Sequence, residues 1–373
     1  MNRSADVVIV GGGLIGCSLA AELAARGRSV VVVERAEPGG EASGAAAGML
    51  SPQADAVEPS PFFDLALESR ELYPDWARRA REETGVDVGY RRTGIVRILP
   101  AGSAEAERRS ARWQRARGLR VDELACEELP GEIAARLGPE HRRVLVYPDE
   151  AVVDPRRATR AAWLLAERRG AQVETGVSVR RITIERGVCR GVETEAGSIA
   201  SRAVVDAAGA WAALDGNLPV AVPVVPVRGQ IVEIRLAGRP LETVLSSEEV
   251  YLVPREDGAV LIGSTLEHAG YRKEVTAGAI RGLLAAAARL CPEVTSARFV
   301  TAWAGLRPGT PDGWPLLGES GLEGFYLATG HFRSGILLAP ATSKYVADLL
   351  TGRPAPALSP FSVDRFAGMP SGL

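Results

Sequence analysis

Aromatic residues make up only 5% of this 373-residue chain, so its cores must be filled mainly by alanine, valine and leucine. Its four cysteines, Cys17, Cys126, Cys189 and Cys291, are widely scattered with no C-x-x-C pair. That argues against a disulfide framework and against a zinc site, and no metal is expected. Cys17 reads as a small buried residue of a helix. Histidine is rarer still, and neither His141 nor His268 has a recognisable partner. No charge of one sign dominates: 44 Lys and Arg stand against 46 Asp and Glu, a formal net charge of −2. Nothing marks a nucleic-acid surface. No apolar run approaches the ~18–20 residues of a membrane span. Asp6 and a glycine turn interrupt any signal-peptide core. Internal repeats and low-complexity segments are also missing. The expectation is a soluble cytoplasmic protein of a reducing compartment, with about two domains.

The informative part of the chain is its start. The apolar run Val7–Val10 meets Gly11-Gly12-Gly13-Leu14-Ile15-Gly16. A helical stretch follows to Arg26, and Gly27 is suited to stop it. A second apolar run, Val30–Val33, ends in Glu34. Strand, glycine turn, helix, strand and acid are the context that lifts G-x-G-x-x-G above an ordinary glycine turn. Gly11 allows the tight turn, Gly13 lets the backbone approach a pyrophosphate, and Gly16 lets helix and strand pack closely. Leu14 and Ile15 begin the helix, whose free N–H groups face the phosphates. Glu34 can accept from a ribose diol and would repel a 2′-phosphate, so NADP is disfavoured although Arg35 is adjacent.

The next segment separates FAD from NAD. A simple NAD domain would continue with a helix and strand, whereas Gly39–Met49 is a run of small residues without a strand pattern. Ala42, Ser43, Ala46, Ala47, Gly48 and Met49 would let backbone come close to a flat ring system. A flexible linker would be more polar. Further nucleotide-domain pieces follow much later: a helix over Arg160–Arg169, a strand over Ala171–Val179, and a buried strand from Ala203 into the small-residue turn at Gly209. That domain is therefore discontinuous, expected over 1–85, 146–218 and 304–373. The intervening 86–145 and 219–303 alternate in polarity. They predict a mostly antiparallel sheet with strands at Gly94–Leu99, Gln230–Leu236, Val250–Val253, Ala259–Ile262 and Phe299–Ala304. Helices are expected over Pro61–Thr84, Ser103–Arg117 and Ala277–Leu290. Arg255 is expected in an exposed hairpin loop.

Two late motifs carry chemistry. In Trp303–Gly313, Arg307 ends an apolar strand and can hold a carboxylate through two parallel hydrogen bonds. In Gly330–Thr342, the strand Phe325–Ala328 leads through Arg333 into another helix N-terminus, suited to the electron-rich end of a reduced flavin. Asp312 reads as a turn former. Read from residues alone, Arg333 could be a loop ion pair and Tyr251 a core aromatic. His331 reads as a loop residue contacting backbone rather than a base.

The segments VVIVGGGLIG, SGAAAGML, VYLVPR, AGLRPGTPDGWPLLG and GHFRSGILLAPAT together resemble the D-amino-acid oxidase group of flavoproteins, and within it the bacterial glycine oxidases. The resemblance covers essentially the whole chain. It implies an α/β fold: a Rossmann-like, glutathione-reductase-like FAD domain plus an α+β substrate domain. It implies non-covalent FAD, oxidation of a small amino acid to an imine, molecular oxygen as acceptor with hydrogen peroxide as product, a link to thiazole formation in thiamine biosynthesis, and a homotetramer. Carried over by motif, Arg307 holds the substrate carboxylate, Tyr251 supports it and Arg333 lies near substrate and flavin. Ala47, Gly48 and Met49 line the flavin, Val177 meets its adenine side, and His331, Phe332, Arg333, Ser334, Gly335, Ile336 and Leu337 wrap the ring edge. No acid or base is required. Two positions depart from the pattern: Glu249 stands where a histidine is found and Leu266 where a methionine is found. Glu249 either attracts a protonated amine or is solvated at a strand end. The rivals are a sarcosine oxidase, a D-amino-acid dehydrogenase feeding another carrier, and a non-catalytic amino-acid-binding flavoprotein. With no cysteine after Cys291, covalent flavin is not expected.

Overall fold

In the computed structural model, which describes residues 3–100, 104–212 and 220–367, the apolar runs at the chain start become central strands. Arg3–Val10 lies between Gly197–Asp206 and Val30–Val33, parallel to both. Val30–Val33 also pairs in parallel with Gln172–Glu174, and Gly197–Asp206 with Phe325–Thr329. Leu316–Glu319 closes that side antiparallel. Val179–Glu185 and Val188–Thr194 form an antiparallel extension on Gly197–Asp206. The central strands are buried on both faces, as parallel strands covered by helices require. Four helices make one of those covers: Leu14–Ala25, Pro61–Thr84, Pro155–Arg168 and Gly335–Leu350.

The second sheet runs in the order Arg298–Gly309, Val225–Arg235, Ala259–Gly263, Tyr251–Pro254, Val244–Ser246, Ile95–Ile98, Arg143–Tyr147, Asp122–Ala125. It is antiparallel except where Val244–Ser246 runs parallel to Ile95–Ile98. The helix Ala277–Leu290 covers one face, with Leu283 and Leu290 packed among Val232, Ile234, Leu252 and Ile262. The other face carries Ile95, Ile231, Tyr251 and Trp303 and looks toward the first sheet's glycine turn.

Several boundaries differ from expectation for physical reasons. The helix expected from Arg160 starts at Pro155, where Asp154 caps the N–H groups of Arg156 and Arg157 and proline suits the first helical position. The strand expected over Ala171–Val179 is two strands, broken at Gly176, whose φ of 70° suits glycine. The small-residue run contains one helical turn, Ala42–Ala45, and a short strand, Met49–Leu50. The strand expected to stop at Ala304 continues to Gly309, so Arg307 lies within it rather than at its end. Pro308 is tolerated because this is an edge strand. Arg255 is not an exposed loop residue: its guanidinium turns inward to the Val153 carbonyl at 2.8 Å, and burial lowers its pKa. The expected boundaries at 146 and 304 each cut a strand of the second sheet. The expected boundary at 218–219, the helix start at Ser103 and the chain end after 367 lie outside the described residues. No helix among the described residues is long and apolar enough to cross a membrane.

Candidate active site

The glycine turn builds one end of a cavity of about 500 Å³ that runs between the two sheets. Gly11 has φ 109°, and a Cβ there would come 2.5 Å from the Ala207 carbonyl oxygen. A Cβ on Gly16 would overlap the Gly11 carbonyl. Gly12, to which the sequence assigned no task, is equally confined, since a Cβ would meet Glu34 at 2.9 Å. Glu34 accepts from the Gly12 N–H at 2.7 Å and the Ala36 N–H at 2.9 Å. Its carboxylate is thus fixed at the end of its strand. The N–H groups of Gly13 and Ile15 find no acceptor among the described residues and lie on the cavity wall. Leu14 and Gly16 do not reach that wall. Leu14 is buried, with its N–H donated to the Ser43 hydroxyl at 3.0 Å, and Gly16 sits beneath the turn.

Arg35, Val177 and Gly209 line the same end. The Arg35 guanidinium lies 3.9 Å over the Trp211 ring, and the Val177 N–H is already donated to the Glu34 carbonyl. Along the middle run Ala42, Ser43, Ala46, Ala47, Gly48 and Met49. Trp303 Nε1 donates to the Ala45 carbonyl at 3.0 Å, and Arg156 Nε to that of Gly44 at 3.1 Å, so this segment is held from behind. At the far end stand His331, Phe332, Arg333, Ser334, Gly335, Ile336 and Leu337. The N–H groups of Gly335, Ile336 and Leu337 find no acceptor among the described residues, as expected for an uncapped helix start. Helix Pro61–Thr84 braces this start from outside: Ser69 donates to the Leu337 carbonyl at 2.6 Å and Tyr73 to that of Ile336. Phe332 holds a φ of 47°, strained for a residue with a side chain.

Opposite that helix start is Arg307. Its guanidinium donates to the Ser264 hydroxyl at 2.6 Å and the Thr265 carbonyl at 3.1 Å. It makes no ion pair among the described residues, and burial lowers its pKa. Tyr251 lies beside it. Two glycines that sequence reasoning missed make room for the pair. A Cβ on Gly229 would overlap the Arg307 guanidinium, and one on Gly263 would overlap the Tyr251 phenol ring. The available signal was glycine inside a strand, which marks close approach. Arg333 is half-exposed and lies 3.5 Å from Asp55, so it is both a cavity residue and an ion pair. His331 lies in the loop before the helix, where its carbonyl accepts from the Ser334 N–H at 2.9 Å. Its ring is buried against the Thr342 hydroxyl at 3.1 Å, and burial pushes its pKa down to about 3. Glu249 pairs with Arg289 at the surface, and Leu266 is exposed on the outer side of the site.

A model of the FAD dependent oxidoreductases matches residues 6–349. The chain belongs to that family. It is 36% identical to the bifunctional protein ThiO/ThiG of Trichormus variabilis, a match covering 97% of this chain but 55% of that one. The chain therefore spans about half the length of the first such relatives. It is 37% identical to the glycine oxidase of Pseudomonas putida over 94% and 95% of the two chains. The crystal structure of glycine oxidase from Geobacillus kaustophilus superposes with a TM-score of 0.94, at 35% identity, over 98% of this chain and all of that one.

The residues present fit FAD. Two sets of unpaired helix N–H groups, a fixed carboxylate and a wall of small residues line one elongated space. Gly11, Gly13, Ile15 and Glu34 would hold the dinucleotide, and Ala46–Met49 with His331–Leu337 the ring system. Among the described residues no cluster suited to a metal ion occurs.

Proposed function

We propose that this protein oxidises the C–N bond of glycine and of other small primary or secondary amino acids, such as sarcosine and small D-amino acids. The observation that carries the reading is Arg307: a half-buried guanidinium with no anion among the described residues, opening into the same cavity as the dinucleotide cradle. A charge partly withdrawn from water and left unpaired is costly, so the site is built for an anionic partner. The Ser264 hydroxyl and the Thr265 carbonyl hold one edge of the guanidinium, which leaves the rest to grip a carboxylate. Tyr251 supports that carboxylate from the side.

FAD, when bound, supplies the acceptor for the two electrons that the substrate loses. The chain's own part is positioning. With the carboxylate on Arg307, the amine and α-carbon are directed toward Gly335–Leu337. His331, neutral throughout the physiological range, is buried away as a structural group. No acid or base is required if the amine enters neutral, and the cations Arg307 and Arg333 disfavour a protonated one. The imine is released for hydrolysis to an oxo acid and ammonia, or for thiazole formation in thiamine biosynthesis. Oxygen as final acceptor, with hydrogen peroxide as product, belongs to this reading. So do the division of the two sheets into a FAD domain and a substrate domain, a cytoplasmic location and a homotetramer.

Peroxide released per bound flavin, measured in air with glycine, sarcosine, D-alanine and D-proline, tests the proposal. Rapid peroxide from glycine and sarcosine is expected. Bleaching of the flavin by glycine without oxygen, but no peroxide in air, would make the protein a dehydrogenase. No bleaching by any of the four would overturn the amine-oxidising reading.

A further inference from the structure

The cavity does not end at Arg307. A second chamber of about 370 Å³ opens beyond it and shares Met49, Asp55, Tyr251, Ser264, Arg307 and Arg333 with the first. A substrate as small as glycine has no atoms to place there. The chamber's lining includes Arg97, which the reaction above does not use.

The sheet fixes where Arg97 stands. It is in register with Ser246, and Ser246 with Tyr251. Residues in register across adjacent strands point to the same face. Arg97, Ser246 and Tyr251 thus form one row on the face that lines the site. Two strand spacings of ~4.8 Å put the ends of the row roughly 10 Å apart.

Arg97 is half-buried and makes no ion pair and no hydrogen bond among the described residues. The acids of the chamber do not neutralise it. Asp55 is taken up by Arg333 and Glu249 by Arg289. Glu107 and Glu248 form no ion pair with it. Between Arg97 and Tyr251, Ser246 is only 6% exposed, and its hydroxyl has no partner among the described residues. Buried polar groups are normally satisfied and buried cations normally paired. Here a hydroxyl and a guanidinium, each without a partner among the described residues, stand on adjacent strands, one and two strands from Tyr251.

We infer that Arg97 is a second anion-binding residue of this site, and that the chamber admits small amino acids carrying a second carboxylate, on the nitrogen or on the side chain. One carboxylate sits on Arg307 and the other on Arg97, with the reacting amine between them. The inference rests on the proposed function for its chemistry, which is unchanged. The amine loses two electrons and two protons and its C–N bond becomes C=N; FAD, when bound, would accept the electrons, and oxygen would take them up with the two protons as hydrogen peroxide.

The test begins with binding. Calorimetry on the flavin-containing protein compares the dicarboxylates from malonate to pimelate with monocarboxylates of the same length. The best-fitting dicarboxylate is expected to bind at least ~10-fold more tightly than its monocarboxylate. Arg97→Met should remove that advantage and Arg97→Lys should restore part of it. No advantage in the wild type, or one that survives Arg97→Met, overturns the inference. Turnover of N-(2-carboxyethyl)glycine against D-glutamate then tells whether the second carboxylate belongs on the nitrogen or on the side chain. Turnover of glycine but of neither diacid overturns the substrate assignment. Turnover of no amine, with the dicarboxylate preference intact, overturns the proposed function and leaves the anion site standing.

Discussion

The dinucleotide cradle and the substrate pocket share one cavity and are both built on glycine, yet they are built differently. In the cradle, Gly11, Gly12, Gly13 and Gly16 are neighbours in sequence, and what would block a side chain is mostly backbone or a fixed carboxylate stem. In the pocket, Gly229 and Gly263 come from separate strands. What would block a side chain there is the working end of Arg307 or the ring of Tyr251. A backbone obstacle cannot yield without moving the fold. A side-chain tip can yield, at the expense of its own aim. The cradle's glycines therefore protect architecture and cofactor, and the pocket's glycines protect geometry. The same substitution should fail in two distinguishable ways.

The largest effect is expected at Gly16. In Gly16→Ala the methyl meets the Gly11 carbonyl, and helix and strand must separate. The protein should retain little or no flavin, read as visible absorbance per protein after purification. Normal flavin content would show that the cradle is more pliant than its contacts imply. Arg307→Ala should act oppositely: flavin is retained, and the glycine requirement rises ~100-fold, equivalent to ~3 kcal/mol for a carboxylate left without its charged partner. Unchanged steady-state kinetics with glycine would remove Arg307 from the site.

Gly229→Ala sharpens the contrast. The obstructed atoms are the tip of a long side chain, so the strand can stay while the guanidinium shifts. Flavin content should be normal and kcat/KM for glycine lower by about tenfold, since a small misplacement of a binding group is expensive in rate. If Gly229→Ala instead loses flavin, the pocket is as rigid as the cradle and the distinction between the two regions fails.

The same difference explains what could be read from the sequence. The cradle was legible because its logic is local. Strand, turn, helix and acid follow one another within 3–34, and the tasks of Gly11, Gly13 and Gly16, though not that of Gly12, follow from their neighbours. The helices Pro61–Thr84 and Ala277–Leu290 match their expected bounds, and the structure shows Ser60 and Thr276 capping their starts. Arg307 and Tyr251 could be named from their motifs, but not their environment. That Arg307 lies inside an edge strand, over Gly229 and against Ser264, depends on pairings between segments tens of residues apart. Arg97 was invisible for the same reason. In sequence it is one charged residue in an alternating strand, and only the register with Ser246 and Tyr251 brings it to the site. Arg255 misled because a charge in a hairpin loop ordinarily faces water, and only the structure shows the Val153 carbonyl that draws it inward.

The smallest effect is expected at Tyr251, and it tests how much of the pocket is contact and how much is shape. Tyr251→Phe keeps the ring over Gly263 and removes only the hydroxyl beside Arg307. The guanidinium retains Ser264 and Thr265, so its aim should survive. What is lost is one hydrogen bond to the substrate carboxylate, about 1 kcal/mol or about fivefold in kcat/KM. A loss as large as that of Arg307→Ala would mean that the hydroxyl fixes the guanidinium itself, and that the two residues act as one unit. No loss would mean that Tyr251 serves as a wall. A double substitution with Arg307→Ala separates these outcomes, because independent groups add and a single unit does not.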